Sequence, residues 1–359
     1  MLSSQQLSAV RELLESSQNP LFFFDNDPDG LCSFLLLRRF IDRGKGVPIK
    51  SFPSLDASYL RKLDELNPDV VFVLDKPLIS KEFLDGARDR NVKVVILDHH
   101  DVPNPSVGNP EINYFNPLTT VDSSNGGVRS NEPTTFLAYS VAHKSGDEWL
   151  ALIGCISDNF IPPFSVAVFE RFPELWKPVS SAFTGVYETP LGRAVKVLGF
   201  SLMDSISGVV NMIRFLNTAS SPHELFDESN INRYFHRYKV INPKYQGLID
   251  KALNTLPDTS FPEIVYFQYG GSLSISSYLA NELFYNNLSR TVIVAYLTGA
   301  KANISIRSKS IILPAAEYAI STIPGATGGG HNNAVGASIP AEDVLNFKKR
   351  FAEALRREN

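Results

Sequence analysis

Three short apolar segments organise the first hundred positions: Leu21–Phe24, Val70–Leu74 and Val92–Leu97, and an acid follows each, Asp25, Asp75 and Asp98. Apolar runs of this length, bounded by polar residues, read as strands buried on both faces. Between them the spacing changes. Residues 30–43 place Leu31, Phe34, Leu35, Arg38, Phe40 and Ile41 at helical intervals, and Gly44 and Gly46 stop the run. Ser80–Arg90 reads as a second helix, with Ser80 as N-cap and Glu82 in the first turn. This alternation predicts βαβ units and a parallel sheet, whose C-terminal strand edge is where ligands collect.

Residues 102–133 are rich in Pro, Asn, Ser and Gly, with Gly126-Gly127 in the middle, and are expected to form a loop crossing that edge. A helix should start near Pro133-Thr134-Thr135, and another should carry Leu150–Ile156 towards Asp158. Residues 190–255 look helical without a βαβ signal. A second α/β set follows: strand Ile264–Phe267, helix 276–285, paired strands Val292–Tyr296 and Ala302–Ile306, and a helix near 314–321. The loop Gly325–His331, strand Ala334–Ile339 and a closing helix from 341 complete it. The expected fold is therefore α/β: a parallel-sheet domain over 1–185, a helical connector over 186–258 and a smaller α/β domain over 259–359.

Composition narrows the class. The chain has 359 residues, 43% hydrophobic and 20% charged, as expected of a globular protein with enough core to fold without staples. Its 2 cysteines, Cys32 and Cys155, lack ligand spacing and suit a reducing cytosol. The opening Met1-Leu2-Ser3-Ser4-Gln5 has no secretion pattern, and no apolar run approaches the roughly 20 residues of a spanning helix, so a cytoplasmic, non-membrane protein is expected. The formal charge of −4 excludes a bulk electrostatic grip on duplex DNA.

Four clusters carry candidate chemistry. Asp25-Asn26-Asp27-Pro28-Asp29-Gly30 sets three carboxylates within five positions of a strand end, and Gly30 eases the turn into the helix. Alone, this could equally be a solvated acidic turn; a calcium EF-hand is excluded because Leu-Cys-Ser-Phe follows. Asp75 alone is more simply a loop or capping acid, and Asp158 alone is ambiguous. Asp98-His99-His100 is harder to explain structurally, because charged and titratable groups at a buried strand end cost free energy unless a cation satisfies them. Together the four clusters indicate a metal-dependent hydrolase.

The triplet and its companions resemble the DHH phosphoesterase superfamily, and specifically its RecJ-like branch. That branch has a first motif D-x-D-x-D-G, matched by Asp25 to Gly30, a second-motif Asp matched by Asp75, and a fourth-motif Asp matched by Asp158. Its C-terminal DHH-associated domain carries a glycine-rich signature ending in His, matched by Gly328-Gly329-Gly330-His331 and the small residues Ala334-Val335-Gly336-Ala337. Two departures stand out. Lys76-Pro77 follows Asp75, and Asn332-Asn333 follows His331, where the family more often has small residues. The additional OB-fold module of long bacterial RecJ proteins has no counterpart after the second domain, so their full activity is not expected.

The resemblance implies a two-ion Mn²⁺ site, with Mg²⁺ as the alternative: Asp25 and Asp27 on one ion, Asp29, His99 and Asp158 on the other, and Asp75 bridging. Carboxylates with an imidazole and no thiolate suit that choice. Asp98 is expected to orient a histidine from behind, and His100 to contact the scissile phosphate or protonate the leaving oxygen. Gly328, Gly329, Gly330 and His331, with Arg307, are expected to hold substrate phosphate across a cleft between the domains. The activity implied is exonucleolytic hydrolysis at the ends of single-stranded DNA or RNA, beside replication or repair proteins. The alternatives are a nanoRNase-like hydrolase of short oligonucleotides or 3′-phosphoadenosine 5′-phosphate, and a non-catalytic replication scaffold. The basic groups Lys348-Lys349-Arg350 and Arg356-Arg357 read as a solvated helix face.

Overall fold

The computed structural model describes residues 1–358 apart from 52, 108–110, 120–131 and 256–259. The chain divides into two compact units, Met1–Lys239 and Val240–Asn359.

In the first unit, helix α1 (Ser4–Ser16) precedes β1 (Leu21–Asp25), α2 (Pro28–Ile41), β2 (Lys45–Ile49), α3 (Leu60–Leu66) and β3 (Val70–Leu74). Then come α4 (Lys81–Arg88), β4 (Lys93–Leu97) and β5 (Ile112–Phe115). The five strands form one parallel sheet in the order β2-β1-β3-β4-β5. Side chains alternate between its faces. Leu21, Phe23, Val71, Val73, Val94 and Ile96 pack against Leu63 of α3 and Phe83 and Ala87 of α4. Phe22, Phe24 and Phe72 take the other face, with Phe34 of α2 stacked on Phe24 at a centroid distance of 5.1 Å. Each such buried phenylalanine contributes about 1.5–3 kcal/mol.

Helices α5 (Thr134–Ala142) and α6 (Glu148–Ser157) pack with α2. Gly154 permits that approach: a Cβ there would strike Thr135 Oγ1 of α5 and come within 2.8 Å of Cys32 Cβ of α2. The rest of this unit is helical, through α7 (Ser165–Arg171), α8 (Ala182–Glu188), α9 (Arg193–Ser201), α10 (Ile206–Leu216) and α11 (Glu228–Tyr234). The division between units falls within α12 (His236–Leu253).

The second unit contains β6 (Ile264–Gly270), α13 (Ser276–Tyr285), β7 (Thr291–Thr298), β8 (Lys301–Arg307) and α14 (Leu313–Ser321). It ends with β9 (Thr327–His331), β10 (Ala334–Pro340) and α15 (Val344–Glu358). Its sheet runs β6-β7-β8-β10-β9, with β6 and β7 parallel and the other pairs antiparallel. Ile293, Ile304, Ile306, Val335 and Ile339 face Ala315, Ala316 and Ala319 of α14 and Phe347 and Phe351 of α15. Among the described residues no helix is long and apolar enough to cross a membrane.

Three local expectations change. Gly328–Gly330 lie in the edge strand β9 and not in a loop, and at Gly328 and Gly330 the facing strand comes too close for side chains. A Cβ at Gly328 would sit 2.6 Å from Gly336 O, and one at Gly330 would strike Ala334 O. The stretch 102–133 contains strand β5, and the part with Gly126-Gly127 lies outside the described residues. The last helix is not simply solvated on its basic face. Lys348 is buried over the rings of Tyr266 and Phe261, and Arg356 pairs with Glu263 at 2.6 Å.

Candidate metal centre

The strand order reverses between β1 and β3, and ligand sites of open α/β sheets form outside the carboxyl ends at such a point. Phe24 and Leu74 are register partners, so Asp25 and Asp75 leave the sheet side by side. Asp75 has φ +60, a left-handed conformation uncommon outside glycine, and its N–H donates to Leu97 O at 3.0 Å. Asp98 N–H likewise donates to Phe115 O at 3.1 Å. Backbone bonds thus knit the ends of β3, β4 and β5 together where the acids emerge.

Asp27 is the N-cap of α2, its carboxylate accepting from Gly30 N–H at 2.9 Å. Gly30 is required because the helix starts on top of the strand end: a Cβ there would lie 2.5 Å from Asp25 O. Asp29, in the first turn, points to α5. That helix begins after Pro133, which has no side-chain donor or acceptor to cap it, and Asp29 takes over. It accepts from Thr134 N–H at 3.0 Å and Thr135 N–H at 2.7 Å. Thr134 Oγ1 in turn donates to Asp75 Oδ1 at 3.1 Å. Asp158 stands at the C-terminus of α6 and is exposed.

His99 Nε2 is the point of convergence. It lies 3.4 Å from Asp75 Oδ1, 3.5 Å from Asp158 Oδ2 and 3.9 Å from Asp29 Oδ2. Two groups of donors among the described residues have metal-sized spacing: Asp75, His99 and His100, and Asp29, His99 and Asp158. Asp98 hydrogen-bonds His100 Nδ1 through Oδ1 at 2.8 Å, and Asn116 Nδ2 holds His100 O at 2.9 Å. Asp25 instead meets Lys76, whose Nζ lies 2.9 Å from Asp25 Oδ1.

Burial and mutual repulsion dominate the electrostatics of these acids. Burial, then the charges of Asp25 and Asp29, push Asp27 up to about 8. Burial raises Asp29 against the opposing effect of His99, and burial with the charges of Asp29 and Asp27 lifts Asp75 well above the usual carboxylate range. Burial disfavours charge on His100, but Asp98, Asp158 and Asp27 outweigh it and hold it up at about 9.

The residues fit a divalent ion. Asp29, Asp75, Asp98 and His99 are nearly inaccessible to water, and Asp98 Oδ2 and His99 Nδ1 are buried without a hydrogen-bond partner. Neither donor group includes sulfur, and burial raises the thiols of Cys32 and Cys155 well above their usual range. Oxygen and imidazole donors of this kind, without thiolate, are ligands of a divalent ion.

Thr134, Thr135, Asn116 and Lys76 were not among the sequence-derived site residues. The first two were visible only as a helix start, and Lys76 only as a departure from the family pattern. The other expected residues lie in the second unit. Arg307, Ala334 and His331 form one rung across β8, β10 and β9, which sets Arg307 and His331 about 10 Å apart, two strand spacings. Arg307 Nε donates to Asn281 Oδ1 of α13 at 2.6 Å.

The family model for the DHH family, N-terminal domain, matches residues 21–147, and that for the DHHA1 domain matches 263–357. No curated protein matches the chain in sequence. Solved structures are similar to it in fold. RecJ from Thermus thermophilus in complex with Mn²⁺ is similar over 99% of this chain at 17% identity and a TM-score of 0.58, and this chain spans 56% of that protein. An exonuclease RecJ bound to manganese is similar at 16% identity and a TM-score of 0.54, covering 99% of this chain and 95% of that one. A DHH domain described as a member of the s1p family of ribosomal proteins is similar at 15% identity and a TM-score of 0.65, covering 99% and 92%.

Proposed function

Because the chain belongs to the DHH phosphoesterase superfamily, with DHH and DHHA1 domains in RecJ-like arrangement along the sequence, we propose that it is a metal-dependent exonuclease of single-stranded nucleic acid ends. The observation that carries this is His99 Nε2 among the carboxylates of Asp29, Asp75 and Asp158, at 3.4 to 3.9 Å. In this reading Asp29, Asp75, His99 and Asp158 hold a divalent ion, Mn²⁺ or Mg²⁺, and Asp25 and Asp27 with Asp75 hold a second. An ion so held supplies water activation and stabilisation of phosphoryl charge.

The chain's own residues supply the rest. Asp29 is fixed by the first two amides of α5, and Asp75 by the hydroxyl of Thr134, so both carboxylates are set before substrate arrives. Asp98 holds the Nδ1 side of His100, which makes Nε2 the atom that passes a proton to the leaving oxygen or hydrogen-bonds a phosphate. The hydrogen bond to Asp98 favours the protonated ring, the form an acid for a departing alkoxide needs. Arg307, Gly328, Gly329, Gly330 and His331 bind substrate phosphate: guanidinium for the anion, glycine amides where no Cβ blocks approach. We take the protein to act in the cytoplasm, beside replication or repair proteins.

A shorter substrate is the second reading. The formal charge of −4 gives no bulk attraction for a long polyanion, which favours short oligonucleotides. End-labelled DNA and RNA strands, from dinucleotide to long chains, with Mn²⁺ decide between them. A ladder of single-nucleotide steps from long DNA or RNA supports the exonuclease. Turnover confined to the shortest species supports the oligonucleotide hydrolase, and no Mn²⁺-dependent cleavage of any strand contradicts both.

A further inference from the structure

We propose that Lys76 is a built-in competitor for the second metal ion, making the two ion positions unequal in affinity; this rests on the metal reading above. The left-handed turn at Asp75 is followed at once by Lys76, a buried lysine. Its Nζ lies 2.9 Å from Asp25 Oδ1 and 3.4 Å from Ser51 O. Asp25 is the last residue of β1, beside the strand that ends at Leu74, so neighbouring strand ends deliver both partners of the ion pair.

An ammonium removed from water is stable only while an anion or carbonyls satisfy it. For Asp25 to bind a divalent ion, Lys76 must either give up that carboxylate inside the protein or remain within a few ångströms of a second cation. Both oppose binding. The other donor on this side is also engaged, since Asp27 Oδ1 caps α2 by accepting from Gly30 N–H at 2.9 Å. On the His99 side Asp29 and Asp75 also accept hydrogen bonds, from Thr134 and Thr135, but among the described residues no lysine or arginine pairs with either. Both metal-sized donor groups among the described residues include His99, and neither includes Asp25 or Asp27.

Lys76 is therefore a positioning residue. It holds Asp25 in place with a positive charge beside the position of the second ion, which must displace it or bind against it. A weakening of the second position by roughly tenfold or more is expected for one unit charge competing at this range.

The test is Mn²⁺ titration of the full chain by calorimetry, with electron paramagnetic resonance to separate isolated from exchange-coupled ions. The wild type should bind one Mn²⁺ tightly, with an isolated-ion signal at one equivalent, and a second at least about tenfold more weakly. Lys76→Met keeps most of the stem and removes the charge; it should bring the second affinity close to the first and give the coupled signal at two equivalents. Lys76→Arg keeps the charge and should keep the inequality. Two equally tight, coupled ions in the wild type would overturn this role of Lys76 and leave the metal reading standing. No Mn²⁺ bound by any form would overturn both. If Lys76→Met does not fold, the wild-type and Lys76→Arg titrations still decide.

Discussion

His100 Nδ1 lies 2.8 Å from Oδ1 of Asp98, a carboxylate wholly removed from water at the end of β4. That bond fixes the ring and, with the charges of Asp98, Asp158 and Asp27, outweighs the effect of burial and holds His100 up at about 9 in the metal-free protein. Asp98→Asn should lower the His100 pKa towards its ordinary 6.5. Activity that needs the protonated ring is lost as pH rises through that pKa, so the alkaline limb of kcat should move to lower pH in the variant. Turnover should fall by about 10²–10⁴ with Mn²⁺ affinity little changed. Ring titration by NMR, beside pH–rate profiles, checks this; an unmoved alkaline limb would remove His100 as the acid.

The crowding of acids predicts a pH-dependent stability for the metal-free protein. Asp27 titrates at about 8 when folded against 3.8 as its ordinary value, so between these the folded state binds the extra proton. Stability from this group is full below about pH 4 and is lost as pH rises through about 8. Asp27→Asn keeps a good helix cap and removes the titration. Its stability advantage over the metal-free wild type should grow from pH 4 to pH 8 and level off above. Urea denaturation with chelator present measures it, and a flat difference contradicts the account. Mn²⁺ binding near pH 7 should release protons, visible in calorimetry as a dependence on buffer ionisation heat.

Packing behind the acids is testable separately. Gly154→Ala places a methyl against Thr135 and Cys32, the contact through which α6 supports α5 and α2. Destabilisation of about 1–3 kcal/mol is expected from overpacking. Because Thr135 also holds Asp29, Mn²⁺ affinity should fall too. A variant as stable as the wild type, with unchanged affinity, would show that the junction has slack.

The acids at strand ends are legible in the sequence for a simple reason. Leu21–Phe24, Val70–Leu74 and Val94–Leu97 are covered on both faces, so they appear as unbroken apolar runs, and whatever follows them lies at the sheet's edge. Strands β2 and β5 are not legible in this way. Lys45–Ile49 contains Gly46 and Pro48, and Ile112–Phe115 is interrupted by Asn113; both are edge strands, where such residues are tolerated. The contacts that aim the site are also hidden. Nothing local tells that Thr134 and Thr135 serve Asp29, some 105 positions earlier, or that Lys76 turns to Asp25. The glycine run signals missing side chains but not whether a turn or a close strand requires them; at Gly328 and Gly330 the reason is the approach of β10.

For the second unit, Arg307→Ala should raise KM about tenfold or more, and Arg307→Lys should recover only part, since an ammonium cannot reproduce a two-pronged grip on phosphate. His331→Ala should slow single-turnover cleavage and leave Mn²⁺ affinity within about twofold, as expected of a residue that touches substrate and not metal. Calorimetry beside single-turnover rates separates the two roles. Loss of Mn²⁺ binding in His331→Ala would make it a ligand, and unchanged kinetics in all three variants would remove this rung from the substrate site.

The central claim is that the acids around His99 hold the catalytic metal, and Asp75→Asn tests it most directly. Asparagine tolerates the left-handed backbone at this position and keeps an oxygen for Thr134, so the fold should survive, as circular dichroism and thermal unfolding can verify. The measurement is Mn²⁺ affinity by calorimetry together with turnover of an end-labelled single strand. The account predicts a folded variant with Mn²⁺ binding weakened about 100-fold or more and turnover reduced roughly 10³-fold or more. A folded Asp75→Asn protein that binds Mn²⁺ as the wild type does and cleaves at a near-normal rate would contradict it.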